Sequence, residues 1–194
     1  GIFNENLSFK KFIVAFAGLL GRDGPISDTD MQKFADFILS VNLPPNPIRA
    51  LDNSLTVKQA AGMDVYFNFA SDGPNTTCNT CHVLDPLQGF FGTNGSSSFE
   101  AESQHFKIPH LRNIYAKVGM FGTPNVALFP SNNVAHTGDQ IRGFGFIHDG
   151  SIDTPFRFFK ATAFDFGGAN AQEQDQGRRN MEQFVLAFDS NFKP

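Results

Sequence analysis

The chain has 194 residues, 41% hydrophobic and 18% charged, proportions of a globular domain with one sizeable core or two small ones. A formal net charge of −4, with no cluster of Lys and Arg to neutralise phosphates, argues against nucleic acid as a partner. Its 24 Phe against 2 Tyr and no Trp imply a Phe-rich core, a lining that would also suit a large flat apolar cofactor.

The chain opens on Gly1 rather than Met and is expected to be a processed or trimmed product. Lys10-Lys11 followed by the apolar run from Phe12 to Leu20 superficially resembles a signal peptide, but the run is too short to span a bilayer. Phe9, Phe12, Ile13, Phe16 and Leu20 fall at helical spacing, which predicts an amphipathic core helix over about residues 6–20. The turn Gly21-Arg22-Asp23-Gly24-Pro25 ends it. No transmembrane segment is expected.

Ser27 with Asp30 makes the capping pattern of a second helix, whose face carries Met31, Phe34, Ile38 and Val41. Pro44-Pro45-Asn46-Pro47 stops it. That stretch separates an N-terminal helical extension, residues 1–50, from a principal domain, residues 51–194. Thr56 with Gln59 opens a third helix through Ala60, Met63 and Phe67, ending near Ser71-Asp72-Gly73-Pro74. Residues 84–107 and 122–140 are rich in Gly, Ser, Asn and Pro and read as long loops. Pro155 to Lys160 predicts a short helix, and Met181, Phe184, Val185 and Phe188 mark the last one. There is no internal repeat and little strand patterning. The expected fold is mostly α, with long irregular connections.

Between the third helix and the first loop lies Cys78-Asn79-Thr80-Cys81-His82. C-x-x-C-H is the signature of covalent haem c attachment: two cysteine sulfurs become thioethers, and the adjacent histidine is held as an axial ligand. A thioredoxin-like redox pair would need a buried strand before the first Cys, where a helix and a Gly/Pro/Asn turn stand instead. A structural zinc site needs two more ligands, yet there is no third cysteine, and His105, His110, His136 and His148 are not paired at zinc-site spacing. The motif therefore predicts one covalent haem.

A six-coordinate haem takes a second axial group, usually Met sulfur or His nitrogen. Met31, Met63 and Met181 sit in helix stripes and read as core filler. Met120 lies on a loop between Gly119 and Phe121-Gly122, where the backbone can approach a cofactor closely, and is the favoured ligand. His148 is its rival and His110, next to Pro109, a weaker one; His105 and His136 lie in polar loops. Arg112 and Tyr115 are candidates to bond haem propionates, with Arg142 a further one.

The order of helix, C-x-x-C-H, then Phe106-Lys107-Ile108-Pro109-His110-Leu111-Arg112-Asn113, then Phe146-Ile147-His148-Asp149-Gly150-Ser151, resembles the cytochrome c domains of the bacterial di-haem cytochrome c peroxidase and MauG superfamily. The likeness runs from about Thr56 to the C-terminal helix and implies a cytochrome c-like helical fold, with Pro109 among the haem-contacting residues. The stretch from Cys78 to Met120 with Gly143 to Ser151 looks closest to single-haem domains fused behind a β-propeller, which implies a C-terminal piece of a larger exported bacterial polypeptide with an upstream domain. Two departures matter. The peroxidases carry two haems where this chain has one C-x-x-C-H, and an insertion between Met120 and His148 breaks a segment that is usually short there. The resemblance further implies that Gly62 and Phe67 cross Met181, Phe184 and Val185 in a close helix contact.

Three functions stay open at this point. The first is one-electron transfer with an unidentified redox protein through a His/Met haem. The second is a peroxidase or oxygen-activating site with His148, Tyr115 or Asp149 as acid–base groups. The third is a haem-based sensor domain. Covalent haem attachment places the expected location in the periplasm or outside a bacterial cell.

Overall fold

The computed structural model describes residues 4–41, 44–99, 104–119 and 143–188. These residues are mostly helical with little strand, and they form two compact units that divide between Pro44 and Pro45.

In the first unit, α1 (Glu5–Lys10) runs into a 3₁₀ turn (Lys11–Val14), then α2 (Ala15–Gly18), and α3 (Asp28–Ser40) follows. The periodicity predicts one unbroken helix over 6–20; the structure interrupts it. Three residues per turn put the side chains out of step with a 3.6-residue stripe. Phe9 and Phe16 accordingly reach Phe34, with ring centroids 5.2 and 6.1 Å away. Phe12 and Leu20, from the same predicted stripe, stay 63% and 70% exposed. The Ser27 cap is made as its sequence requires, the hydroxyl accepting the Asp30 N–H at 3.1 Å. On α3 the buried residues are Met31 and Ala35, while Phe34 is buried only in part by the Phe9 and Phe16 rings and Val41, just past the helix, is exposed.

The second unit is built on α4 (Val57–Asn68) crossing α7 (Ala171–Leu186). Thr56 and Gln59 cap α4 reciprocally: the Thr56 hydroxyl accepts the Gln59 N–H at 3.3 Å and the Gln59 amide oxygen accepts the Thr56 N–H at 2.9 Å. Gly62 lies against the Asn180 carbonyl, and a Cβ built there would come within 2.8 Å of Phe184 Cβ. The missing side chain lets the two backbones touch, so α4 buries the face Gln59–Gly62–Tyr66. Ala60 and Met63 of the apolar stripe that the spacing predicts are exposed, and Phe67 is half-buried. Tyr66 thus takes the place at the crossing that the resemblance gives to Phe67. Around it pack Met181, Phe184, Val185 and Phe188 from the C-terminal helix and its end, with Phe91, Ile114, Phe159 and Phe166.

Between these two helices the chain makes α5 (Cys78–Cys81), an antiparallel pair β1 (Leu84–Asp85) and β2 (Phe90–Phe91), a second pair β3 (Ser97–Ser98) and β4 (Phe106–Lys107), a 3₁₀ turn (Ile114–Lys117) and α6 (Pro155–Phe158). No helix among the described residues is long and apolar enough to cross a membrane.

The last carbonyls of a helix have no partner within it. Here Asn46 supplies one, its amide donating to the Leu186 and Phe188 carbonyls at 2.8 and 3.2 Å, while the Ile48 N–H donates back to its side-chain oxygen at 2.9 Å. Arg49 adds a bond to the Ala187 carbonyl at 3.2 Å. Asn46→Ala leaves these buried acceptors short of donors and should lower stability by about 1–3 kcal/mol. Urea unfolding should show this as a lower midpoint at unchanged slope; an unchanged midpoint would remove Asn46 from the account of how α7 ends.

Candidate functional site

The sequence Thr77 to Thr80 dictates a single helical turn. The Thr77 N–H donates to the Thr80 hydroxyl at 3.2 Å, and the His82 N–H closes the turn on the Cys78 carbonyl at 2.8 Å. The turn presents Cys78 and Cys81, both half-buried and not joined in a disulfide, and hands the chain directly to His82. Burial pushes the Cys78 thiol up in pKa, partly offset by the bond from Ser71, whose buried hydroxyl lies 3.5 Å from Cys78 Sγ.

His82 is held at its ring and at its backbone. Its Nδ1 lies 2.9 Å from the Gly92 carbonyl and 3.2 Å from the Pro109 carbonyl. A carbonyl oxygen only accepts, so Nδ1 carries the proton, and the neutral ring keeps its lone pair on Nε2. Burial pushes the His82 pKa down, while the two carbonyls pull it up. The result is an imidazole fixed in one tautomer with a metal-ligating nitrogen to offer.

The backbone of His82 is gripped by Tyr66, whose hydroxyl donates to the His82 carbonyl. That ring is only 1% exposed, packed edge-on to Phe67 and Phe184. Burial, and secondarily the nearby Cys78, raise the Tyr66 pKa far above its ordinary value of 10.0. Below pH 10.0 folded and unfolded chains both keep the phenol proton, and the stabilisation is complete. Above it the unfolded chain loses that proton while the fold retains it, so stability falls as pH rises. Tyr66→Phe should cost about 1 kcal/mol near neutral pH and flatten this alkaline decline. Chemical unfolding of both proteins from pH 8 to about 11 reads it, and parallel declines would mean another group is responsible.

Two segments close the site. Gly92 donates its N–H to the Val83 carbonyl at 2.8 Å and fits against Leu111, so near that a Cβ would stand 2.7 Å from the Leu111 N. Its φ of +93° is one that glycine alone adopts readily. Leu111 in turn donates to the Phe91 carbonyl at 2.9 Å, which fixes the run from Phe106 to Asn113 beside His82. Arg112 lies over the Phe91 ring, 4.3 Å from its centroid.

Of the residues predicted from sequence, Cys78, Cys81, His82 and Pro109 come together here. Arg112 is partly buried, and Tyr115 is half-buried on the 3₁₀ turn. Met120, His136 and Arg142 lie outside the described residues. Gly119, the last described residue before Met120, is buried and donates to the Asp153 carbonyl at 2.8 Å. The Asp153 side chain forms a largely buried ion pair with Arg157 at 2.9 Å. His148 is exposed and lies with its ring on Phe106, centroids 4.0 Å apart. Asp149 is tied into a turn by Ser151, whose N–H donates to it at 2.9 Å and whose bonds hold the carboxyl below the usual range. His110 is pushed down in pKa by partial burial, then by Arg112 and Lys117. His105 is exposed beside Phe99, centroids 5.5 Å apart.

Sequence reasoning missed Tyr66, Ser71 and Gly92. The first was hidden by a stripe read one residue out of phase, and the other two carry no local signal. Among the described residues, no group of three or more His, Cys, Asp or Glu side chains could hold a metal ion.

No family model and no curated protein matches the chain. Among solved structures, it is similar to the hydrazine synthase of Kuenenia stuttgartiensis, pressurised with 20 bar xenon, at 16% identity and a TM-score of 0.45, over 90% of this chain. The match spans 60% of that chain, and a likeness of this size carries no argument.

Proposed function

We propose that this chain is a c-type cytochrome domain, with Cys78 and Cys81 holding one haem covalently, His82 as its axial ligand, and one-electron transfer as its work. The observation that carries the reading is the state of His82: a half-buried neutral imidazole, its Nδ1 proton committed to the Gly92 and Pro109 carbonyls, next to two cysteines on one helical turn that no disulfide joins. A zinc site would want further Cys or His donors. A disulfide exchanger would want an activated thiolate, whereas the Cys78 thiol is pushed up.

The residues fit the group. When bound, haem supplies an iron centre that takes up and returns one electron. The chain's part is to keep His82 Nε2 unprotonated, to orient its ring by two carbonyls, and to fix its backbone through Tyr66. Carbonyls accepting from Nδ1 also make the imidazole more electron-rich, which favours the oxidised metal. Phe91, Phe184, Phe188 and their neighbours exclude water from the core behind. Met120 is the proposed second axial ligand, and Arg112 and Tyr115 the proposed partners for propionates. With His82 and Met120 both holding the iron, the domain would exchange electrons with a redox protein rather than turn over a substrate. The domain would serve in the periplasm or outside the cell, as part of a larger exported polypeptide.

Expression in a bacterial host competent for haem attachment tests the reading. The intact mass should exceed that of the polypeptide by one haem, and the Cys78→Ala, Cys81→Ala double variant should return the bare mass. The ferric spectrum should carry the weak band of Met–iron ligation, and Met120→Ala should lose its low-spin character. A wild-type chain matured in that host at its bare mass would end the proposal.

A further inference from the structure

Ser71 belongs to none of the roles above. Its side chain is 1% exposed, and its hydroxyl faces Cys78 Sγ at 3.5 Å. The backbone leaves it little freedom: the Ser71 carbonyl accepts the Asp165 N–H at 2.9 Å, and the next residue, Asp72, is bridged to Phe164. With one side-chain torsion and a fixed main chain, the aim of the hydroxyl at that sulfur is built into the fold.

In the free thiol either atom can donate. Haem attachment would remove the ambiguity. The Cys78 thiol would add across a vinyl double bond, sulfur bonding one carbon and the hydrogen ending on the other, with no net gain or loss of electrons. The sulfur would then have no proton and could only accept. A hydroxyl buried beside it must turn its own proton toward the sulfur, since a buried donor left without an acceptor is costly.

Resting on the haem reading, we propose that Ser71 is a positioning residue for the Cys78 thioether, its hydroxyl donating to the sulfur and drawing electron density from the edge of the porphyrin. A donor there stabilises the electron-rich reduced state more than the oxidised one. The hydrogen bond therefore makes the domain a readier electron acceptor, in opposition to the two carbonyls on His82.

Redox titration of the haem-loaded protein is the test, with wild type, Ser71→Ala, Ser71→Gly and Ser71→Thr compared at one pH. Ala and Gly variants should keep the mass of one haem and both thioethers, and should shift the reduction equilibrium toward the oxidised form by about two- to threefold. Thr, which retains the hydroxyl, should titrate with wild type. Ala and Gly variants indistinguishable from wild type, or a Thr variant that follows them, would overturn the role of Ser71 while leaving the haem reading intact. A wild-type chain that carries no haem would strike at that reading instead.

Discussion

Gly62→Val should destabilise the second unit by about 3 kcal/mol or more, the largest loss expected from any single added side chain on α4. A Cβ at Gly62 overlaps the Asn180 carbonyl and crowds Phe184 Cβ, and the overlapped atom is backbone in the middle of α7, which cannot swing aside as a side chain could. The helices must separate. Separation exposes Tyr66, Phe184 and Phe188, rings that are 1% exposed and mutually packed at centroid distances of 5.2–5.8 Å. It also draws the Tyr66 hydroxyl from the His82 carbonyl, so a packing defect at the helix crossing reaches the site. Ala60→Val, on the exposed face of the same helix, adds the same β-branched side chain and should cost under about 1 kcal/mol, the intrinsic helix penalty alone. Urea unfolding of the two variants decides the matter; helix propensity alone would make Gly62→Val the milder change, so a Gly62→Val cost no larger than that of Ala60→Val would mean that the crossing does not govern α4.

What the sequence discloses and what it hides divide along the range of the interactions. Local chemistry is legible: the Thr56–Gln59 and Ser27–Asp30 caps, the turn at Gly21–Pro25, and the union of Cys78, Cys81 and His82, all fixed within five residues of chain. The C-terminal stripe is legible too, because Met181, Phe184, Val185 and Phe188 are large and all buried. The α4 face misleads because spacing rewards bulk: Ala60, Met63 and Phe67 make the better apolar stripe, yet a glycine one position away decides which face can touch another backbone. Asn46 bonds carbonyls 140 and 142 residues on, and Ser71 and Gly92 matter only through the sulfur and the imidazole they face. No pattern in a single sequence encodes such partners. The start of α7 is hard to see for another reason, since its first turns are polar; its signal is the Asn170 side chain, which accepts the Glu173 N–H at 3.0 Å.

Gly92→Ala should cost about 2–4 kcal/mol and release the His82 ring from its single tautomer. Two penalties coincide at this residue. An L side chain at φ +93° is strained whatever surrounds it, and the added Cβ would stand 2.7 Å from both Leu111 N and Cγ. Leu111 cannot retreat alone, because its N–H is bound to the Phe91 carbonyl and the same run carries Pro109. Relief therefore moves the Gly92 carbonyl, the Pro109 carbonyl or both, and these are the acceptors that commit the proton to Nδ1. Gly95→Ala separates the penalties: its φ is +88°, but a Cβ there meets nothing within 4 Å, so it should show backbone strain without the collision. Nitrogen chemical shifts of the His82 ring in the chain prepared without haem read the tautomer directly. Wild type and Gly95→Ala should show a protonated Nδ1, and Gly92→Ala should show the proton shared between the two nitrogens. If the Gly92 variant kept the wild-type ring pattern, the two carbonyls would not be what sets His82, and Nε2 would owe its lone pair to something else in the fold.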